Sequence, residues 1–127
     1  MCKHFLLLVL LIVAATPAIG AEIVFHGKPL KRVDADFEHT KQVEVANDES
    51  LDCLIIIDSG EFYWASREFR PLVYRHSGVF HMFIDPFGGG YIKIYGKEKF
   101  NGSALAGAYV EHLSLGLSSI NYNGNPK

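Results

Sequence analysis

Two pairs of strand-like segments joined by glycine-containing turns lie in the middle of this sequence, and they limit the possible folds most strongly. The pairs are 51–57 with 62–65 across Ser59-Gly60, and 79–84 with 91–95 across the loop 85–90. Ser-Gly between two such runs is typical of a tight hairpin, and β-branched and aromatic residues fill both arms of the second pair. Two adjacent hairpins predict a mainly β fold, a small antiparallel sheet or barrel.

The C-terminal third carries two competing patterns. A helical i, i+4 spacing favours one helix over 104–115, followed by a last strand at 118–122; the residues in that spacing are Leu105, Tyr109, Leu113 and Leu117. Tyr109, Glu111 and Leu113 also alternate as a strand would. The state of 105–117 therefore stays open between helix and strand, and with it the choice between a mainly β fold and an α+β fold.

The first twenty residues have the layout of a secretory signal peptide. Lys3 gives a basic start, Phe5–Ala15 is uninterrupted and apolar, and small residues follow it. The apolar run is shorter than the roughly 20 residues that a membrane-spanning helix needs. We therefore expect cleavage after Gly20 or Ala21, a single domain over 21–127, and a soluble secreted or periplasmic protein without a stable membrane anchor.

Charge and cysteine content narrow the partners and the chemistry of the exported chain. Subtracting Lys3 from the 12 basic residues leaves 11 against 14 acidic ones, so no basic stripe suited to nucleic acid is expected. Cys2 is lost with the signal peptide and Cys53 remains alone, which rules out an internal disulfide in the mature domain. Because Cys53 sits in an apolar run, we expect a buried thiol.

The segment 64–71 combines an aromatic residue, two arginines and a carboxylate just after the first hairpin. If it borders a cleft, Trp64 would stack on a ligand while Arg67 and Arg70 bind an anion. Alternatively, Trp64 belongs to the core, and Arg67, Glu68 and Arg70 form a solvated, salt-linked turn. Both interpretations stay open.

Residue types alone give only weak catalytic candidates, namely Glu68, Glu111, His81 and His112. A Glu/His pair from this set would suit a small hydrolase or a metal-dependent enzyme. The sequence has no G-x-S-x-G pattern and no close metal-ligand spacing, and its three glycines at 88–90 open a strand, not a helix. We therefore expect no metal and no cofactor, and lean against an enzyme.

These observations favour a small exported, non-enzymatic module that binds an unknown protein or small ligand outside the cytoplasm. We expect binding through Trp64, Arg67 and Arg70 together with the loop at Gly88–Gly90. Two alternatives remain: an extracytoplasmic hydrolase or metal-dependent enzyme, and a structural protein associated with the cell envelope.

Overall fold

A computed structural model describes residues 20–127 of the chain. The predicted signal peptide, 1–20, lies outside these residues except for Gly20. The described part consists of nine strands and one short 3-10 helix at Glu49–Leu51. The strands are β1 (Ala21–Ala35), β2 (Thr40–Val43), β3 (Cys53–Asp58), β4 (Glu61–Trp64), β5 (Arg70–Ser77), β6 (Phe80–Ile84), β7 (Tyr91–Tyr95), β8 (Tyr109–Leu115) and β9 (Ser118–Pro126). Within 20–127 there is no helix long and apolar enough to cross a membrane.

All the strands pair antiparallel, and eight of them close into a barrel. The strand order runs from β1 through β3 to β9, and β9 returns to pair with β1. β2 adds a ninth strand beside the C-terminal part of β1. The predicted mainly β, antiparallel architecture is therefore confirmed.

Alternating strand directions sort seven of the eight connections into two sets, and the eighth, 44–52, leads from β2 to the start of β3. The connections 36–39, 65–69, 85–90 and 116–117 lie at one end, which we call the arginine end because the second of them carries Arg67. The connections 59–60, 78–79 and 96–108 lie at the opposite end, which we call the histidine end because His76 and His81 stand beside it.

The core occupies the interior of this barrel. Every second residue of β6 and β7 is buried, as expected when one face of a strand points inward. An eight-stranded barrel has an interior just wide enough for side chains to fill. Buried apolar side chains fill it here, and they include Phe25, Ile55, Trp64, Phe83, Ile92 and Ile94.

Both predicted hairpins are present. β3 and β4 pair across Ser59 and Gly60, whose φ angles of 52° and 80° are the left-handed values that a two-residue hairpin turn requires. β6 and β7 pair across the loop 85–90, where Gly89 has a φ of 77°. The glycines of this loop thus belong to a hairpin and not to the start of a helix.

The prediction of a helix over 104–115 is wrong. Residues 109–115 form β8, which pairs with β7 on one side and with β9 on the other. Glu111 occupies an inward-facing position of β8 together with Tyr109, and its carboxylate is buried. The expected last strand is present and continues to Pro126.

The first strand contains two residues that often end a strand. β1 runs through Gly27 and Pro29 and continues to Ala35. A side chain at Gly27 would collide with the rings of Phe25 and Tyr109, so glycine is required inside this strand. β1 then pairs with β9 over its C-terminal part, and this contact closes the barrel.

Candidate functional site

The arginine end is supported by a polar cluster inside the barrel. Trp64 at the end of β4 is 1% exposed, and its indole N–H donates to Oε2 of Glu111 at 2.8 Å. Nη2 of Arg67 donates to Oε1 of the same carboxylate at 3.4 Å. Both oxygens of Glu111 therefore have partners, which a buried carboxylate needs in order to offset the loss of water.

Burial controls the protonation of this cluster. It raises the pKa of Glu111, while Arg67, Trp64 and Cys53 act in the opposite direction without cancelling it. Burial and the neighbouring Glu111 carboxylate raise the pKa of Cys53 well above its usual value. The Cys53 thiol is buried as expected, stays protonated, and is unsuited to act as a nucleophile.

A second charged pair ties the loop 85–90 to β5. Asp85 is buried, and its Oδ1 accepts backbone hydrogen bonds from Phe87 and Gly88, each 2.9 Å long. Its Oδ2 accepts from Arg70 at 3.3 Å. Burial raises the pKa of Asp85, but these three hydrogen bonds outweigh it and leave the pKa lowered.

Glycines let this loop approach the cluster closely. A Cβ at Gly88 would stand 2.5 Å from Oδ2 of Asp85 and 2.9 Å from Nη1 of Arg70. A Cβ at Gly90 would stand 3.0 Å from the Trp64 ring. The two segments singled out in the sequence, 64–70 and 88–90, therefore lie side by side at the same end of the barrel.

The connection 65–69 has a strained backbone. Glu68 and Phe69 have φ angles of 59° and 53°, a left-handed conformation that costs roughly 1–2 kcal/mol per residue for side chains of this kind. The side chain of Phe69 nevertheless lies mostly in solvent. The turn is held by Ser66, whose Oγ accepts from the backbone N–H of Leu54 at 2.9 Å. The strained conformation of 65–69 thus leaves the Phe69 ring in solvent, and burial of this ring does not offset the strain.

The other three connections at this end also display apolar side chains. Phe37, Phe69, Phe87 and Leu117 are 78%, 61%, 87% and 82% exposed, and each lies on a different connection of the arginine end. At the histidine end, the large apolar residue of the short turns is Val79, which is 38% exposed. Exposed apolar groups gathered in this way are typical of interaction surfaces.

The structure unites some of the predicted site residues and separates others. Trp64, Arg67 and Glu111 meet inside the barrel, and Arg70 stands beside them on Asp85. The Trp64 ring is enclosed, so the ligand stacking suggested for it has no accessible face. Its role in the structure is to support Gly90 and to bind Glu111.

The catalytic candidates lie apart from one another. Glu68 is exposed, and its carboxylate reaches Arg70 only at 3.9 Å. His81 lies near the histidine end, where its ring contacts Tyr74. His112 lies on the opposite face of β8 from Glu111, so the two side chains cannot act as a pair. Nδ1 of His112 is 2.7 Å from Oδ1 of Asn121.

Metal binding finds no support in the described region. Across 20–127, no three histidine, cysteine or carboxylate side chains are grouped as metal ligands. A shared metal site would need a third ligand beside His76 and His81, whose ring centroids are 4.9 Å apart, but the His112 ring stacks on Tyr91.

Two elements of the site were missed from the sequence. Asp85 looked like an ordinary loop residue, although Asp three positions before Gly88 is a common way of fixing a turn through backbone hydrogen bonds. The apolar tips were also missed: Phe37 and Phe87 each stand alone among turn-forming residues, and Leu117 was assigned to the apolar pattern of the expected helix. Only the topology shows that they share one end.

Comparisons with protein-family models, with curated proteins and with solved structures find no match to this chain. The geometry of the arginine end is therefore the main indication of function.

Proposed function

We propose that the domain is a non-enzymatic binding module that engages a protein partner through its arginine end. One observation carries the proposal: Phe37, Phe69, Phe87 and Leu117 are the described large apolar side chains more than 60% exposed, and they occupy the four connections at that end. Burying one such side chain on binding yields about 1.5–3 kcal/mol before the costs of association. Burying all four would yield about 6–12 kcal/mol, which is of the same order as the costs of association.

Charge suggests what kind of partner fits. Arg67 pairs with the buried Glu111, while Arg70, whose side chain is 48% exposed, pairs with both the buried Asp85 and the exposed Glu68. Glu38 and Glu68 have side chains 63% and 84% exposed. The exposed charge around the apolar tips is thus mostly negative. We propose a protein partner with an apolar surface bordered by lysine or arginine, and not an anionic membrane.

A binding role is favoured over an enzymatic one because the candidate catalytic side chains lie far apart in the barrel. A hydrolase needs a carboxylate and a base near a common point that substrate can reach. Glu111 is enclosed and already bonded to Trp64 and Arg67, while His81 lies toward the other end of the barrel. We propose that Glu111 positions the arginine end and takes no part in a reaction.

We propose that the protein acts outside the cytoplasm. The layout of 1–20 supports export, and a domain with Cys53 as its remaining cysteine needs no oxidation to fold. N-terminal sequencing of the protein recovered from the extracytoplasmic fraction tests this directly, with Ala21 or Glu22 as the expected first residue.

Photo-crosslinking tests the binding surface. Phe87 and Leu117 are replaced, one at a time, by p-benzoylphenylalanine, and Val79 at the histidine end receives the same replacement as the matched control. We expect one shared crosslinked protein from positions 87 and 117 and none from position 79. Equal products from all three positions, or no product from 87 and 117, would contradict the proposal and favour a purely structural protein.

A further inference from the structure

The histidine end of the barrel is covered by the connection 96–108, which has no regular secondary structure. It is tied to the barrel at both ends: Gly96 N donates to Val79 O at 2.7 Å, and Leu105 N donates to Val24 O at 2.8 Å. Between them, the Phe100 ring packs on Phe62 with centroids 5.7 Å apart. Unstructured connections of this length are uncommon in compact domains and are usually functional.

A hollow of about 310 Å³ lies between this covering segment and the barrel. That volume is at the lower end of the range for small-molecule sites. Phe100 and Leu105 give the hollow an apolar side. Lys97 and Lys99 line it together with Glu98, which leaves one positive charge in excess.

His81 lines the hollow from the barrel side and is 1% exposed. Its Nδ1 is 2.8 Å from the hydroxyl of Tyr74, and that oxygen accepts the backbone N–H of Phe100 at 2.9 Å. Every hydrogen in this chain is used if the Tyr74 hydroxyl donates to Nδ1, which then acts as an acceptor. With that assignment of the Tyr74 hydroxyl as the donor, the neutral ring of His81 carries its proton on Nε2.

Nε2 of His81 makes no hydrogen bond to another residue of 20–127 and is not fully closed off from solvent. Gly96 packs closely against this edge of the ring, because a Cβ there would collide with Nε2 and Cδ2. A nearly buried N–H that lacks a partner and borders a hollow is a donor available to a ligand.

We infer that this hollow binds a small organic carboxylate. One carboxylate oxygen accepts the Nε2 hydrogen of His81, the excess positive charge of Lys97 and Lys99 favours the anion, and the apolar part packs on Phe100 and Leu105. This site is at the opposite end of the barrel from the protein-binding surface proposed above and does not depend on it.

Titration of ¹⁵N-labelled protein with sodium benzoate tests the site, with neutral benzamide as the matched probe. We expect saturable shifts of the His81 ring signals and of the amides of 96–106, with benzoate at least tenfold tighter than benzamide. The amides of 85–90 at the arginine end should not move. Absence of saturable benzoate shifts, or equal affinity for both probes, would overturn the inference.

Two variants complete the test. Gly96→Ala fills the space beside Nε2 and should abolish benzoate binding. Lys97→Glu changes only an exposed residue, so it keeps the fold, and it should weaken binding at least threefold. Lys31→Glu on β1 is the charge-matched control and should leave the affinity unchanged. A Lys97→Glu protein that binds benzoate as tightly as the Lys31→Glu protein would also overturn the inference.

Discussion

The indole N–H of Trp64 donates a hydrogen bond of 2.8 Å to Glu111, a residue 47 positions later in the chain, inside a closed barrel. This bond joins β4 to β8 across the interior, because the two strands are not neighbours in the sheet. It also holds the carboxylate where Arg67 reaches it from the connection 65–69. The polar cluster thereby fixes the position of the connection that displays Phe69.

Replacing Glu111 separates the hydrogen bond from the packing. Glu111→Leu leaves the buried Trp64 N–H without an acceptor and should lower the free energy of unfolding by about 1–3 kcal/mol. Glu111→Gln keeps an acceptor oxygen and should cost less. Urea unfolding measures both, and Glu68→Gln in solvent is the control, expected within about 0.5 kcal/mol of the parent. Equal losses for the Leu and Gln variants would show that the bond to Trp64 is unimportant.

The stability of the domain should fall in mild acid because of His81. Burial, followed by the neighbouring His76, lowers the pKa of His81 below its ordinary value of 6.5. A lowered folded-state pKa means that the unfolded chain binds the proton more readily. The stabilisation is therefore complete above pH 6.5 and is lost as pH falls from there through the folded-state pKa.

The unfolding free energy measured in urea between pH 7.5 and pH 5 should show this slope. His81→Gln should flatten it, whereas His39→Gln, which changes an exposed histidine, should not. The same slope in both variants would assign the pH dependence to other groups.

The strain in the connection 65–69 can be removed by glycine. Glu68→Gly places a residue without a Cβ where φ is 59°. This should remove the steric strain and stabilise the domain by about 1 kcal/mol. Glu61→Gly, made at the first residue of β4, is the matched control and should destabilise it. Thermal unfolding distinguishes the two, and a destabilised Glu68→Gly protein would show that the left-handed turn is not strained.

Asp85 should control the order of the loop 85–90. Asp85→Ala removes the acceptor for Phe87, Gly88 and Arg70, so amide hydrogen exchange at 87 and 88 should accelerate at least tenfold. Amides of 96–106 at the other end of the barrel serve as the internal control and should keep their protection. Faster exchange throughout the domain would instead indicate global unfolding.

Local chemistry made part of the fold predictable. Ser59-Gly60 and Gly89 adopt left-handed backbone conformations that few other residues accept, and both predicted hairpins contain such a turn. The helix expected over 104–115 failed for a non-local reason. Its spacing was correct for a helix, but pairing of β8 with two neighbours and burial of Glu111 against Trp64 decided the outcome.

The site was predictable only in parts. Residue types drew attention to 64–70 and 88–90, and both belong to the arginine end. Their contact through Arg70 and Asp85 depends on strand register, which no local pattern reveals. The shared location of Phe37, Phe87 and Leu117 likewise follows from barrel closure, which links residues far apart in the chain.

The most direct test of the central claim is the dissociation constant of the protein captured at positions 87 and 117, measured with purified components. Phe87→Ser and Leu117→Ser change exposed tips, so unfolding should be unaltered, while each should weaken binding at least tenfold. Val79→Ser at the histidine end should leave the constant unchanged. Binding that is unaffected by Phe87→Ser and Leu117→Ser, or weakened equally by Val79→Ser, would contradict a partner surface at the arginine end.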